Sequence, residues 1–245
     1  MSATDKYADI AERYGEMLQD DPSREMFFKR TFDKFHAKSI LDCACGTGKD
    51  LLLFHSMGYI VIGSDLSDSM LKVSQKNISE HRTNIILRKG DFQNLRAVHS
   101  EVFDAVLCLS NSINEAEVDP IKALESMKQV LKPDGIIILD QGQTDLSMQD
   151  PPSYVPIMNN QNLSQLYTMT YDKDIMTVNI FDFIHDEKAR KYDFSHSQFK
   201  ICIRLSEDWR AILQRANLKA EFYGNWEGEK YNPNRNKRLI IVARK

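Results

Sequence analysis

Residues Ile40–Asp50 read ILDCACGTGKD, and the fold follows from them. The run Ser39–Cys43 (SILDC) has the apolar, β-branched character of a buried strand. Ala44, Gly46 and Gly48 then carry little or no side chain, and Lys49–Met57 takes up a helical rhythm closed by Gly58. A strand, a small-residue bend and a helix form a unit in which a ligand can approach the backbone while the helix start offers N–H groups. Downstream, Tyr59–Asp65 (YIVIGSD) predicts a second strand. Ser67 predicts the N-cap of a helix whose Met70, Leu71 and Val73 face inward. Ile85–Arg88 and Phe103–Leu109 (FDAVLCL) predict strands three and four. Pro120–Leu131 predicts an amphipathic helix ended by Lys132-Pro133-Asp134-Gly135, and Ile136–Asp140 predicts strand five. Nearly continuous apolar strands alternating with helices predict an α/β domain with a doubly wound, mostly parallel sheet covered on both faces.

The pattern changes after Gln141. Residues 142–165 are polar, contain Pro151, Pro152 and Pro156, and read as a loop. Leu166–Tyr171, Ile175–Ile184 and Phe194–Leu205 alternate polar and apolar residues, as antiparallel strands with one wet face do. A helix over Ser206–Ala216 and two strands, Lys219–Trp226 and Lys237–Ala243, complete the chain. An antiparallel insertion thus follows the fifth strand. Ahead of the first strand, Tyr7, Ile10, Tyr14 and Met17 recur at helical spacing. Met26, Phe27, Phe28, Phe32 and Phe35 mark a second helix, and most of these aromatics are expected in the core.

The 245 residues are 42% hydrophobic and 27% charged, enough to bury a core, with a net charge of −3 and no block of like charge. A polyanion binder shows a basic stripe, so nucleic acid is not expected as a partner. No stretch has the apolar length of a membrane span, and no metal or membrane role is expected; the cytoplasm is the expected location. Cys43, Cys108 and Cys202 lie in apolar runs as buried thiols, and Cys43 with Cys45 forms a CxC lacking the second pair of a zinc site.

Asp65, at the end of the second strand, stands where a carboxylate can accept both hydroxyls of a ribose. A dinucleotide loop requires a third glycine where Leu51 stands, whereas Asp42-x-Ala44-x-Gly46-x-Gly48 has the spacing of an adenosylmethionine loop. ILDCACGTGKDLLLFHSMGYIVIGSDLSDSMLK, GDF, FDAVLCLSNS and ALESMKQVLKPDGIIILD together resemble class I S-adenosylmethionine-dependent methyltransferases. Within that class they are most similar to the glycine and glycine/sarcosine N-methyltransferases, over Tyr7–Asp140. The insertion resembles that of sugar N,N-dimethyltransferases.

The resemblance implies a seven-stranded Rossmann-like domain: a helical cap (1–37), a cofactor-binding core (38–141), an acceptor-side loop and strand insertion (142–205), and a final helix and strands (206–245). It implies S-adenosylmethionine held by Tyr7, Tyr14, Arg24, Asp42, Ala44, Gly46, Gly48, Asp65, Leu66, Met70, Asp91, Phe92 and Leu109. In that set Arg24 pairs with the cofactor carboxylate, Met70 and Phe92 lie by the adenine, and Asp91 accepts from its amino group. Asn111 and Tyr231 match positions at the acceptor. In glycine enzymes an arginine after the fifth strand clamps the substrate carboxylate; Gly142 stands there, leaving Arg204 or Arg235 as substitutes or a different acceptor. Methyl transfer asks chiefly for position and electrostatics, so an amine acceptor needs no dedicated base, although Glu115 is a carboxylate at hand. The expected activity is methylation of a small molecule at an amine nitrogen (amino acid, amine or aminosugar). Its alternatives are an oxygen or carbon acceptor, or a binder that catalyses nothing. Self-association is expected through the inserted strands.

Overall fold

The computed structural model describes residues 5–17, 21–186 and 191–245; the side chains of Glu16, Met17 and Asp186 lie outside what is described. Helices α1 (Ala11–Met17) and α2 (Pro22–Lys34) precede β1 (Ser39–Asp42). The core continues as α3 (Lys49–Ser56), β2 (Ile60–Asp65), α4 (Asp68–Glu80), β3 (Ile86–Lys89), β4 (Phe103–Cys108), α5 (Pro120–Gln129) and β5 (Leu131–Gln141). The inserted strands are β6 (Tyr154–Asn159), β7 (Leu163–Asp172), β8 (Ile175–Asp186) and β9 (Lys191–Cys202). Last come α6 (Ser206–Arg215), β10 (Lys219–Tyr223) and β11 (Leu239–Arg244).

The large sheet has seven strands in the order β10-β11-β5-β4-β1-β2-β3, with β11 antiparallel to both its neighbours and the pairs among β1–β5 parallel. Alternate residues of its central strands pack to opposite faces. Leu41, Val106, Ile137 and Ile241 meet α5 and α6 on one side; Ile40, Leu107, Ile138 and Ile240 meet α2 and α3 on the other. Such strands are apolar at every position, which is why the sequence shows unbroken runs. Ser67 caps α4 by accepting from Met70 N at 3.0 Å, and Asp119 caps α5 ahead of Pro120.

Two expectations are corrected. Lys132–Gly135 does not sit outside the strand: β5 begins at Leu131, and its pairing with β4 shifts register between Phe103 and Ala105, so the breaker residues form an irregularity within the ladder. The span 142–165 is not loop throughout, since β6 lies inside it and β7 starts at Leu163. Pro156 obscured β6. It is tolerated because β6 is the edge of the four-stranded sheet β6-β7-β8-β9, where the missing N–H interrupts no inner ladder, and the register shifts just after it.

Candidate active site

Strand order reverses between β1 and β4, so the bends beyond their carboxyl ends diverge and open a crevice. The β1 bend is held by backbone: Cys45 N donates to Ser64 O at 3.0 Å and Gly48 N to Cys45 O at 2.9 Å. Asp65 ties it to the next turn, one oxygen accepting from Gly46 N at 2.8 Å and the other from Ser67 N at 2.9 Å. Burial raises its pKa, against the pull of those two N–H groups.

The two glycines of the bend differ in purpose. Gly48 has φ +79°, and a Cβ there would lie 2.3 Å from Ser74 Oγ, so its smallness serves packing of α4 on the bend. Gly46 has φ +51°, and a Cβ there would meet nothing within 4 Å. Its missing side chain leaves open space beside Asp65, a cradle that fits a nucleoside with an amino-acid tail.

Around the bend, Asp42 is 2% exposed and accepts from Ala44 N at 3.2 Å; burial, with Asp50 nearby, pushes its carboxyl well above the usual range. Arg24, from α2, donates to both oxygens of Asp50, one at 2.6 Å, and lies 5.4 and 5.2 Å from the ring centres of Phe28 and Trp226. Its fork therefore already holds a carboxylate, that of Asp50. Met70 is buried with Ala11 and Val73 against Tyr7 and Tyr14, whereas Leu66 is 63% exposed. Asp91 accepts from Gln93 N at 2.8 Å and starts the 3-10 turn of which Phe92 is the first residue; Leu109 is buried at the end of β4.

Beyond Leu109 the chain makes an unusual bend. Ser110 (φ +56°) and Asn111 (φ +67°) are consecutive left-handed residues, a conformation costing about 1–3 kcal/mol each unless its surroundings impose it. Here Asp140 imposes it. Its Oδ1 accepts from Ser110 N at 2.6 Å and its carbonyl from Asn111 N at 3.1 Å, while Asn111 Oδ1 accepts from Gly142 N at 3.1 Å.

This bend floors a cavity of about 290 Å³. The inserted sheet supplies one wall from alternate positions: Tyr167, Met169 and Tyr171 of β7, Met176, Val178 and Ile180 of β8. The period of two read from the sequence thus marks the lining face. The N-terminal segment closes the other side with Tyr7, Ile10 and Tyr14. Tyr7 stacks its edge on Tyr14 at 6.2 Å, lies 4.9 Å from Phe199, and donates its hydroxyl to Glu115, which also receives Lys6. Burial pushes the Tyr7 and Tyr14 phenols upward, Tyr14 to about 12, so both stay neutral. A buried clamp holds this segment to the sheet. Arg13 Nε donates to Asp182 at 2.8 Å and Arg13 Nη2 to Ser195 Oγ at 2.8 Å, and Gln165 Nε2 donates to Asp182 at 2.7 Å; the Asp182 side chain has no exposed surface.

Of the residues singled out in the sequence, Tyr7, Tyr14 and Asn111 share the cavity wall. Tyr231 is not among the residues lining it. It pairs with Phe222, packs against the main core and donates to Asp145 at 2.8 Å, one layer behind the loop. Arg204 is spent on the carbonyls of Ile113 and Val118 and on Asn114 Oδ1. The Arg13–Asp182 clamp, whose partners are 169 residues apart, left no local signal. Among the described residues there is no cluster of three or more metal-binding side chains, and no helix is long and apolar enough to cross a membrane.

Residues 40–135 match the family described as "Methyltransferase domain". A glycine/sarcosine N-methyltransferase of Aphanothece halophytica is 38% identical over 128 residues, 51% of this chain and 48% of that one. A ubiquinone biosynthesis O-methyltransferase of Actinobacillus pleuropneumoniae is 31% identical over 121 residues, 48% of this chain and 51% of that one. The chain thus spans about half the length of these curated relatives. An S-adenosylmethionine-dependent methyltransferase from Clostridium acetobutylicum superposes with a TM-score of 0.82 at 18% identity, covering 98% of this chain and 97% of its own. The sugar N-methyltransferase KedS8 from Streptoalloteichus superposes at 0.72 and 20% identity, covering 98% and 93%. These two likenesses extend to the inserted sheet and concern the fold. Residues 40–135 thus carry the match to a methyltransferase domain, and the strand order and the Gly46 cradle make the chain similar in fold to S-adenosylmethionine-dependent methyltransferases.

Proposed function

We propose that this protein methylates a small molecule at an amine nitrogen. The observation that carries the reading is the adjacency of two compartments: a cradle at Gly46 and Asp65, and a 290 Å³ cavity whose Tyr7 and Tyr14 also pack on Met70 of α4 and feel the charge of Asp65. When bound, S-adenosylmethionine supplies an electrophilic methyl group. Asp65 would accept from its ribose, Ala44, Gly46 and Gly48 would leave room for its methionine part, and Met70 would back its adenine. Asp91, Phe92, Leu66 and Leu109 complete that set. Arg24 reaches a carboxylate only by sharing itself with Asp50. Tyr7, Tyr14 and Asn111 exclude water and fix the acceptor, the contribution that this chemistry asks of a protein. The name of the Aphanothece relative favours nitrogen; that of the Actinobacillus relative favours oxygen.

Adenosylhomocysteine at a hundred times its Kd is expected to raise the melting temperature by roughly 5–10 °C, while NAD does not. Absence of that shift removes the reading. Label transferred from methyl-labelled adenosylmethionine to amines rather than phenols then assigns nitrogen; preferential labelling of phenols assigns oxygen.

A further inference from the structure

The walls of the cavity bear on the kind of molecule it takes, granted the cofactor reading above. Its lining includes one carboxylate, Glu115, and no lysine, arginine or histidine among the described residues. The cations nearby are committed: Arg204 to Ile113, Asn114 and Val118, Arg13 to Asp182 and Arg238 to Asp140, while Lys6, itself off the lining, pairs with Glu115 and with the exposed Glu117. Gly142 borders the space with nothing within 4 Å of where a side chain would start, so room for an arginine exists and none fills it. An α-amino acid would bring its carboxylate into this chamber beside that of Glu115, with no cation on the lining to pair it and Lys6 already shared between Glu115 and Glu117.

A cation meets the opposite conditions. Glu115 faces the chamber; aromatic faces of Tyr7, Tyr14 and Tyr167 and the polarisable Met169 and Met176 surround it. Ile10, Val178 and Ile180 provide an apolar bed for the rest of the molecule.

We infer that the acceptor is an amine lacking a carboxylate and carried on an apolar body, with Glu115 selecting its ammonium form on entry. The bound ammonium must lose a proton before its nitrogen can attack, and Glu115, whose Oε1 accepts from the Tyr7 hydroxyl and whose Oε2 accepts from Lys6, is the carboxylate on the lining to take it, Lys6 then keeping Glu117 as its partner.

Matched probes test this on the full chain loaded with adenosylhomocysteine: 2-phenylethylamine against L-phenylalanine, and pentylamine against L-norleucine. Calorimetry is expected to show each amine binding at least tenfold tighter than its amino acid. Glu115→Gln is expected to collapse that ratio to within threefold and Glu115→Asp to keep it, both variants still binding adenosylhomocysteine. Equal or tighter binding of the amino acids, no binding of either amine, or an unaltered ratio in E115Q would overturn the proposal. Failure of adenosylhomocysteine itself to bind would instead strike at the cofactor reading.

Discussion

The crevice and the chamber are built by different means. The crevice is made of backbone. Its bend, its glycines and Asp65 sit on the central strands of a buried sheet, and the tie from Gly46 to Asp65 spans only 19 residues of sequence. The chamber is made of side chains. It exists because residues near 7–14 are held against a sheet formed by residues 154–202, through one buried ion pair and a ring contact. Backbone architecture of the first kind serves one invariant ligand; side-chain architecture of the second can be re-lined without disturbing the sheet. The difference can be broken in graded ways.

The largest effect should come from Asp65→Ala, which removes the carboxylate joining the bend to the β2–α4 turn. Adenosylhomocysteine affinity should fall about a hundredfold or more by calorimetry. Retention within a few fold would show that the crevice does not rely on Asp65. Next, Arg13→Ala leaves Asp182 charged and unpaired in the sheet, a local cost of about 3–5 kcal/mol. The amides around Tyr7 and Tyr14 should lose hydrogen-exchange protection and acceptor KM should rise about tenfold, while β1, β4 and β5 keep their protection. Loosening of both regions together would erase the distinction.

The glycines sharpen the comparison within one loop. Gly46→Ala should cost about 1 kcal/mol of stability yet weaken adenosylhomocysteine by about tenfold, because the new methyl enters open space. Gly48→Ala should lower the melting temperature more, since it strikes Ser74. The smallest effect concerns pH. Asp42 holds its proton more firmly folded than unfolded, so its contribution is fully present below the ordinary aspartate pKa and is lost as pH rises through its elevated folded value. Asp42→Asn should therefore flatten the decline in melting temperature as pH rises above the ordinary aspartate pKa; an unchanged slope would place the charge elsewhere.

How much of this was legible depends on what each region is made of. Ile40–Asp50 and the strands around it announce themselves, because a strand buried on both faces must be apolar throughout and a ligand-side bend must be small. The lining face of β7 and β8 was also present as alternation, though nothing local says that Met176, Val178 and Ile180 face a cavity instead of a core. The clamp was not legible, since Arg13 and Asp182 each look like ordinary charged residues. Nor was the left-handed pair Ser110–Asn111: asparagine tolerates that conformation, yet only Asp140, a strand away, requires it. Tyr231, an aromatic matched by position, lies off the cavity lining with its hydroxyl on Asp145.

The rings of Tyr7 and Tyr14 carry one last consequence. They abut Met70 and Ala11 on one side and the chamber on the other. Any free energy by which a crevice occupant steadies those rings is returned, undiminished, as tighter hold on a chamber occupant, and the converse holds by the same thermodynamic identity. Two guests that never overlap thereby become cooperative through a shared pair of tyrosines, and the order in which they arrive alters the path but not the total.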